Sequence, residues 1–550
     1  MSKKEIIFLA SFPVLVFIYF LLATPSAEKA KKKEVIYSPK GWEKITDDPS
    51  KKIKIRCAST LKQGNVSWRQ KMLDEKFNLE TEYMYMSPEA IPQKLPLMLA
   101  GDDIPDFFTC GRASVIKYAG HGFLMEIPYE LLLKHAPHIV KLANKYCPNT
   151  WLGISYEGRN YGIPAIWPEG SKPRAGLWRK DWLEKVGITK TPETLDEYYV
   201  ALKKFREEDP DGNEIKDTYG MSGDLLNYYT TFTEIFGANG VMPYNWMEKD
   251  GKVVWGGIQP EAKQTLELLN NWYKEELIHP DFLTDRWWAE TTRKFYNGKV
   301  GYHNYMSSVE ALNLLNPNSV ASSMKALQPG SEITPGHPPV GPTGMRGHRV
   351  WGAGGNGVIV IGRHLANDPE KVIRLLKMWD TIASDETVAI ENQIGRKGMH
   401  WDWVDPKIGQ GSGVKMLPPY DQKRVKEEQG FTDPTLLSGA GDTTIFDKYL
   451  PKSQIDFDNT HKKLEWGKPD LFNWSDSVPR SDEFLQDLIH LQQKYYAEII
   501  VGKKPIGSFD EFVQKWRKQG GDILTSEAQK LYDSRSEIFK KLGVSDERKK

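Results

Sequence analysis

At 550 residues the chain is too long for one small core, so two or three domains are expected. Its 74 Lys and Arg almost balance its 73 Asp and Glu, which leaves no basic footprint and argues against a nucleic-acid partner. The 18 Trp and 24 Tyr are a surplus: such rings fill cores, and they also suit stacking on flat ligand faces.

Ile6 to Ala27 carries no charge and follows Lys3-Lys4, the basic-then-apolar pattern of an export signal. The apolar part, Ile6–Ala23, is long for a signal peptide and short for a spanning helix, and Pro25 spoils the small-residue cleavage pattern around Ala27. Residues 1–28 therefore read as a signal peptide or an uncleaved signal anchor, with the rest outside the cytoplasmic membrane and that segment its only contact with the bilayer. No cysteine follows the apolar run closely, so lipid attachment there is not expected. Residues 29–50 open on the Lys-rich stretch Lys29–Lys33 and read as a solvated linker. The three cysteines, Cys57, Cys110 and Cys147, are too few for a disulfide scaffold; one bridge is possible, with one thiol left over.

Lys51–Thr60 alternates as a strand, Trp68–Phe77 is helical, Leu79–Met86 is a second strand, Ile91–Ala100 a second helix, and Asp106–Cys110 a third strand. This order predicts an α/β opening on a parallel sheet. Ligands gather at the carboxyl ends of such strands, which places Thr60-Leu61 and Thr109–Arg112 at a binding edge.

A second unit is expected after Tyr161-Gly162-Ile163-Pro164. Thr191-Pro192 is predicted to open a helix that carries Leu195, Tyr198, Tyr199, Leu202 and Phe205 on one face. It runs into Asp209-Pro210-Asp211-Gly212-Asn213-Glu214-Ile215-Lys216-Asp217, where oxygen-bearing side chains fall at positions 1, 3, 5 and 9 of a tight loop. Calcium takes six to eight hard oxygen ligands, and such loops add a backbone carbonyl at position 7, here Ile215. Asp209, Asp211, Asn213, Ile215 and Asp217 are thus the candidate ligands of a structural calcium ion. Glu214 stands where a full EF-hand has glycine and Gly220 where it has glutamate, and a solvated acidic turn would use the same residue types. Farther on, 328–347 is rich in glycine and proline and reads as a long connection. Pro369–Ala383 is a helix, and Ser508 with Glu511 reads as a capping box before Phe512, Val513 and Trp516.

Gly352-Ala353-Gly354-Gly355-Asn356-Gly357 satisfies G-x-G-x-x-G, but Val358-Ile359-Val360-Ile361 after it is strand-like, whereas a dinucleotide site needs a helix there. The segment reads as a turn between strands. No nucleophile-elbow, zinc-protease or Walker motif occurs, the eleven histidines show no metal spacing, and no carboxylate pair stands out as an acid/base couple.

Several segments in order resemble a known family. Leu97-Met98-Leu99-Ala100-Gly101-Asp102-Asp103-Ile104-Pro105-Asp106 resembles the L-x-L-A-S-G-D-x-P-D segment of extracellular solute-binding proteins, family 1. Tyr161-Gly162-Ile163-Pro164, the run Trp178–Gly187, the acidic loop, and Gly502-Lys503-Lys504-Pro505 through Trp516 to Gly520-Gly521 resemble further motifs of its large lipoprotein-type and alginate-oligosaccharide-binding branch. In that branch the loop binds a structural calcium. The family's lipoprotein cysteine is missing, and Thr218 stands where an acid often follows the last aspartate. In Ile394–Trp401 basic residues replace the acid of a family pattern, which leaves the ligand class open and hints at an acidic group.

The resemblance implies an α/β, type II periplasmic-binding-protein-like fold, with two lobes, a hinge and a ligand cleft. Lobe 1 would combine 51–166 with 326–410, and lobe 2 would combine 167–325 with 411–550, including extra C-terminal helices. It also implies a monomer that captures an oligosaccharide at the periplasmic or outer face of the membrane and delivers it to the permease subunits of an ABC importer, without catalysis. Candidate sugar contacts are Trp167, Trp287, Trp288, Tyr302, Tyr305, Trp351, Trp401 and Trp403, with Arg112 and Arg396. A secreted or anchored polysaccharide-acting enzyme would explain the aromatic surplus and the calcium, but not the ordered motifs. An anchored sugar sensor would keep the same fold.

Overall fold

The computed structural model describes residues 37–543, apart from 60–66, 88, 226–229, 286–287, 307–318, 355–356, 433, 435–436 and 438–443. The export signal and the Thr60-Leu61 edge lie outside the described residues.

The opening folds as its pattern predicts. In β1 (Ile53–Ser59), Ile53, Ile55 and Cys57 turn into the core. Ser67 caps α1 (Trp68–Phe77) by accepting from the Gln70 N–H at 3.1 Å. Strand β2 (Leu79–Tyr85) pairs parallel with β1, setting Ile53 opposite Leu79. Helix α2 (Ile91–Ala100) leads to β3 (Phe107–Cys110), parallel on the other side of β1, and to α3 (Arg112–Gly120). The short β4 (Ile163–Pro164) is the far edge of this sheet.

The second sheet begins with β5 (Ala175–Arg179), buried along its whole length. Helix α4 (Leu195–Glu207) starts at Leu195, after Pro192, because Thr194 and Glu197 form a reciprocal capping box there. There follow β6 (Tyr219–Met221), α5 (Thr233–Ala238), α6 (Pro260–Lys274), β7 (Val300–Met306) and β8 (Ile333–Gly336). The strand order is β8-β5-β7-β6, with β5 antiparallel to β7 and β8, and β6 parallel to β7. Since β8 completes this sheet, the return to lobe 1 comes after Gly336 and not near residue 326.

The return runs through β9 (His348–Arg349) into β10 (Val358–Ile361), which inserts antiparallel between β3 and β4. The first sheet is thus β2-β1-β3-β10-β4, and a strand does follow the glycine-rich segment. Helix α7 (Pro369–Ser384) buries Val372, Leu375 and Leu376, and α8 (Glu386–Ile394) follows it. The hairpin of β11 (Trp401–Trp403) and β12 (Val414–Met416) forms a satellite core with Ile390, Ile394, Phe431, Phe446 and Leu450, against which Trp68 of α1 packs. Val414, Met416, Phe431, Phe446 and Leu450 therefore sit with lobe 1, beyond the expected boundary at 410.

After α9 (Lys452–His461), β13 (Gly467–Lys468) pairs parallel with β9. Helix α10 (Ser481–Ile500) lies against α6, where Asn270 Nδ2 donates to the Ile499 and Ile500 carbonyls at 2.9 and 3.0 Å. The cap at α11 (Ser508–Trp516) differs from expectation: Gly507 is its N-cap, and Glu511 instead accepts from Tyr495 and pairs with Lys515. The last helix, α12 (Arg535–Leu542), buries Ile538, Phe539 and Leu542 and packs on the lobe 1 helix Tyr129–His135, so the C-terminal helices serve both lobes. All three cysteines are free and buried, and no bridge forms. Burial pushes the Cys57 thiol up to about 12, so it is inert as a nucleophile. Among the described residues no helix is long and apolar enough to cross a membrane.

Candidate functional site

The chain crosses between the two sheets three times, and the crossings touch. The first runs from β4 to β5, the second from β8 to β10, and the third from α9 to α10. The Trp167 N–H donates to the Ala353 carbonyl, and the Gly352 N–H donates to the Gly170 carbonyl at 2.8 Å. A Cβ on Gly170 would run into the Gly352 carbonyl oxygen, and one on Gly352, at φ 80°, would overlap the Asn473 side chain. Glycine is what lets these backbones approach. The β9–β13 pairing ties the third crossing to the second.

The first two crossings contribute one tryptophan each, Trp167 and Trp351, and the third contributes Trp466 and Trp474. The rings of Trp351 and Trp474 lie 5.2 Å apart at 36°. Over Trp351 sits the Arg349 guanidinium, 5.0 Å from the ring centroid, while its Nε donates to Asn245 Oδ1 at 3.2 Å. Trp167 and Trp351 are half-buried, and the buried indole N–H groups of Trp167 and Trp474 have no acceptor. The core indoles of Trp178, Trp182 and Trp516 are orphaned in the same way, so this feature alone does not set the hinge apart. Sequence reasoning missed Trp474, because the third crossing lies in a stretch read as part of the C-terminal helical region.

Arg112 holds this hinge together. It starts α3 at the carboxyl end of β3, as expected, but is only 2% exposed. Its guanidinium donates to Thr150 Oγ1 at 2.9 Å and to the Gly354 carbonyl. With the Asn473 amide turned oxygen-inward, its two Nη atoms reach that oxygen at 2.7 and 2.9 Å. Burial lowers its pKa to about 10, so it stays charged at neutral pH. Its contacts make it a clamp on the second and third crossings rather than an open ligand contact.

Other candidates fall elsewhere. Tyr302 is 1% exposed, enclosed by Trp178 at 4.5 Å and Tyr198 at 5.2 Å. Trp401 and Trp403 face each other and Tyr449 in the satellite core. All three are buried among these rings, so they are corrected from platforms to core. Arg396 is exposed, pairs with Glu391 at 2.9 Å and lies over Trp68, away from the hinge cluster. Trp287, and the side chains of Trp288 and Tyr305, lie outside the described residues.

Beneath the second crossing is a buried polar layer that the sequence did not signal. Glu234 of α5 is fully buried; its Oε2 accepts from Asn304 Nδ2 at 3.0 Å, and its Oε1 has no donor. The same Asn304 amide donates to the Thr230 carbonyl at 2.9 Å. Burial raises the Glu234 pKa to about 7, and lowers that of His348, whose Nε2 is 3.9 Å away, to about 4.

The acidic loop has the hydrogen bonding of a cation loop. Asp209 Oδ2 accepts from the Glu214 N–H at 2.9 Å, and Asn213 Oδ1 from the Ile215 N–H at 2.7 Å. Gly212 and Glu214 take left-handed φ of 72° and 61°. The other oxygens of Asp209 and Asp211 are buried without donors, and burial together with the Asp209 carboxylate raises the Asp211 pKa. That pair fits a cation. The far end differs: Asp217 pairs with Lys299, the Ile215 carbonyl accepts from the Asp217 N–H at 2.8 Å, and the Thr218 hydroxyl turns away to the Phe205 carbonyl. Among the described residues no cluster of three or more acidic, His or Cys side chains is arranged as a metal site.

Comparisons with known proteins agree with this architecture. The polygalacturonan/rhamnogalacturonan-binding protein YtcQ of Bacillus subtilis is 26% identical over 497 residues, 88% of this chain and 92% of that one. The crystal structure of the alginate-binding protein AlgQ2 without calcium ion superposes with a TM-score of 0.59 at 18% identity, covering 89% of this chain and 99% of that one. The Streptococcus pneumoniae ABC-transporter substrate-binding protein FusA, as an EF-hand mutant in complex with fructo-nystose, gives 0.57 at 17% identity, covering 88% and 99%. Both superpositions show the two-lobed, type II periplasmic-binding-protein-like fold. Residues 59–363 match the family described as bacterial extracellular solute-binding protein, and the chain belongs to that family.

Proposed function

We propose that this protein captures an oligosaccharide between its lobes, against the hinge tryptophans, and delivers it unchanged to the permease subunits of an ABC importer. The observation that carries the reading is the Trp351–Trp474 ring pair at the crossings of a solute-binding fold, with Trp167 bonded through its backbone to Ala353 of the same segment. Sugars offer apolar faces to aromatic rings, and this floor supplies such rings. The named ligands of similar proteins, a polygalacturonan, an alginate and a fructo-oligosaccharide, are carbohydrates. Family and relatives are binding proteins, which supports release of the sugar unchanged. A thermal-shift screen against neutral and acidic oligosaccharides tests the reading: a stabilising sugar is expected, and a set without effect speaks against it.

The Asp209–Asp217 loop is assigned to a structural calcium, held by Asp209 and Asp211 with Asn213, the Ile215 carbonyl and Asp217 completing the set. The orphaned Asp209 and Asp211 oxygens support it, as does the mention of calcium and of an EF-hand for two proteins of the same fold. The ion would draw the two carboxylates together and stiffen the loop. The protein works as a monomer outside the cytoplasmic membrane, with residues 1–28 a signal peptide or an uncleaved anchor. Mass spectrometry of membrane and soluble fractions tests the export: a chain outside the cytoplasm is expected, its N-terminus telling anchor from cleaved signal, and a cytosolic protein starting at Met1 or Ser2 would contradict it.

A further inference from the structure

The calcium-like loop faces a cation that the chain itself supplies. Lys299 stands just before β7, where its N–H donates to the Lys294 carbonyl at 2.8 Å and its own carbonyl accepts from the Tyr219 N–H at 2.9 Å. Tyr219 begins the strand that leaves the loop, so the backbone itself fixes Lys299 beside it. The Lys299 Nζ lies 2.5 Å from Asp217 Oδ2. The other Asp217 oxygen faces Asn213 Nδ2 at 3.3 Å, and the same amide nitrogen is 3.0 Å from Asp211 Oδ2. At this end of the loop every carboxylate oxygen of Asp217 points at an N–H group of the chain. At the other end, Oδ1 of Asp209 and of Asp211 have no donor. The charge that neutralises the loop is therefore already half supplied, and supplied asymmetrically.

We propose that Lys299 is a tethered competitor of the metal: its ammonium holds Asp217 in the metal-free loop, and calcium binds by displacing it. The proposal rests on the calcium reading above. Lys299 reaches Asp217 alone, so Asp217 has its donors while Asp209 and Asp211 keep orphan oxygens. Bringing a divalent ion to the same carboxylates sets its charge against the ammonium a few ångströms away. Both partners are partly solvated, Lys299 44% and Asp217 33% exposed, so the repulsion is moderate and screened by salt. With Thr218 turned into the core, nothing in the next position makes up for an Asp217 held by Lys299. Lys299 thereby sets how tightly the loop holds calcium and keeps its end ordered when none is present.

The test is a calorimetric calcium titration of the full chain as wild type, Lys299→Gln and Lys299→Arg at low and at about 0.5 M salt, with melting in chelator alongside. Lys299→Gln is expected to bind calcium about tenfold more tightly at low salt, with the gain shrinking at high salt. Lys299→Arg should stay near wild type, since it keeps the charge. In chelator, Lys299→Gln should melt below wild type, having lost the internal cation. Equal calcium affinity of wild type and Lys299→Gln overturns the competition while leaving the calcium site in place. A gain shared equally by Lys299→Arg overturns it too, because position and not charge would then matter. If neither wild type nor Lys299→Gln takes up calcium, the calcium reading falls and the proposal falls with it.

Discussion

Trp351 is the residue on which the proposed binding turns most, because it is half-buried at the second crossing with Arg349 over one face and Trp474 beside it. Trp351→Ala is expected to weaken binding of the best-shifting oligosaccharide by roughly tenfold or somewhat more, since an aromatic contact contributes about 0.5–1.5 kcal/mol beyond the area it buries. Circular dichroism should show the fold intact; unchanged affinity would move the platform to Trp167 or Trp474. Glu234 gives a pH signature of the buried layer. Its folded pKa, about 7, stands above the usual 4.5, so the native state keeps a proton that the unfolded chain releases. Its contribution to stability is full below about 4.5 and is lost as pH rises through about 7. A shift of this size corresponds to on the order of 3 kcal/mol. Glu234→Gln, which cannot ionise, should therefore melt several degrees above wild type at pH 8 and lose that advantage near pH 5; parallel melting curves at both pH values would count against the assignment. At this scale the sequence was only partly legible. Tyr302 followed Gly301 in a strand expected at the cleft, and nothing local to it showed that Trp178 and Tyr198 close over it. Trp167 and Trp351 were legible as tryptophans outside helices, whereas Trp474 needed the third crossing, which only tertiary pairing of β9 with β13 reveals.

Among the elements, the crossings and the calcium-like loop are where local sequence and long-range packing meet. Gly352 combines a left-handed φ of 80° with the space that Asn473 occupies. Gly352→Ala should cost about 2–4 kcal/mol, read as a lowered denaturation midpoint, because strain and overlap add. An unchanged midpoint would mean that the crossings are not packed as described. On the proposed reading calcium would bind only the folded loop, and a ligand at about a hundred times its dissociation constant adds roughly 2.7 kcal/mol. Chelation is thus expected to lower the melting temperature by a few degrees, and Asp211→Ala to reproduce the loss and abolish the response to added calcium. A wild type whose melting ignores chelator, with no metal copurifying, would make the loop a solvated turn. Strands and helices of the opening were readable because their periodicity is local, from Ile53, Ile55 and Cys57 to the face of α7. The cap at Ser508 was not: Glu511 has better partners in Tyr495 and Lys515, which lie on the neighbouring helix and one turn ahead.

Across the whole molecule, three crossings among the described residues join two sheets that each have their own core strands, and α12 makes a further return to the first lobe; crossings gathered in this way are the anatomy of a hinge that closes on ligand by rigid-body motion. The two-lobed plan was legible through ordered motifs that resemble a family. Its boundaries were not, since β8 stays with the second sheet, Val414, Met416, Phe431, Phe446 and Leu450 join the first lobe's satellite core, and α12 returns to the first lobe. These are choices among apolar surfaces that any amphipathic helix could satisfy, and a linear pattern does not record which one wins. The central claim is that the hinge takes up an oligosaccharide and gives it back unchanged. Its most direct test is a calorimetric titration of the full chain with the most stabilising sugar, followed by mass spectrometry of the sugar recovered after unfolding the protein. The expected result is saturable binding of one sugar per chain and recovery of that sugar at its original mass; absence of binding across neutral and acidic oligosaccharides, or recovery of shortened or modified sugar, would contradict the account.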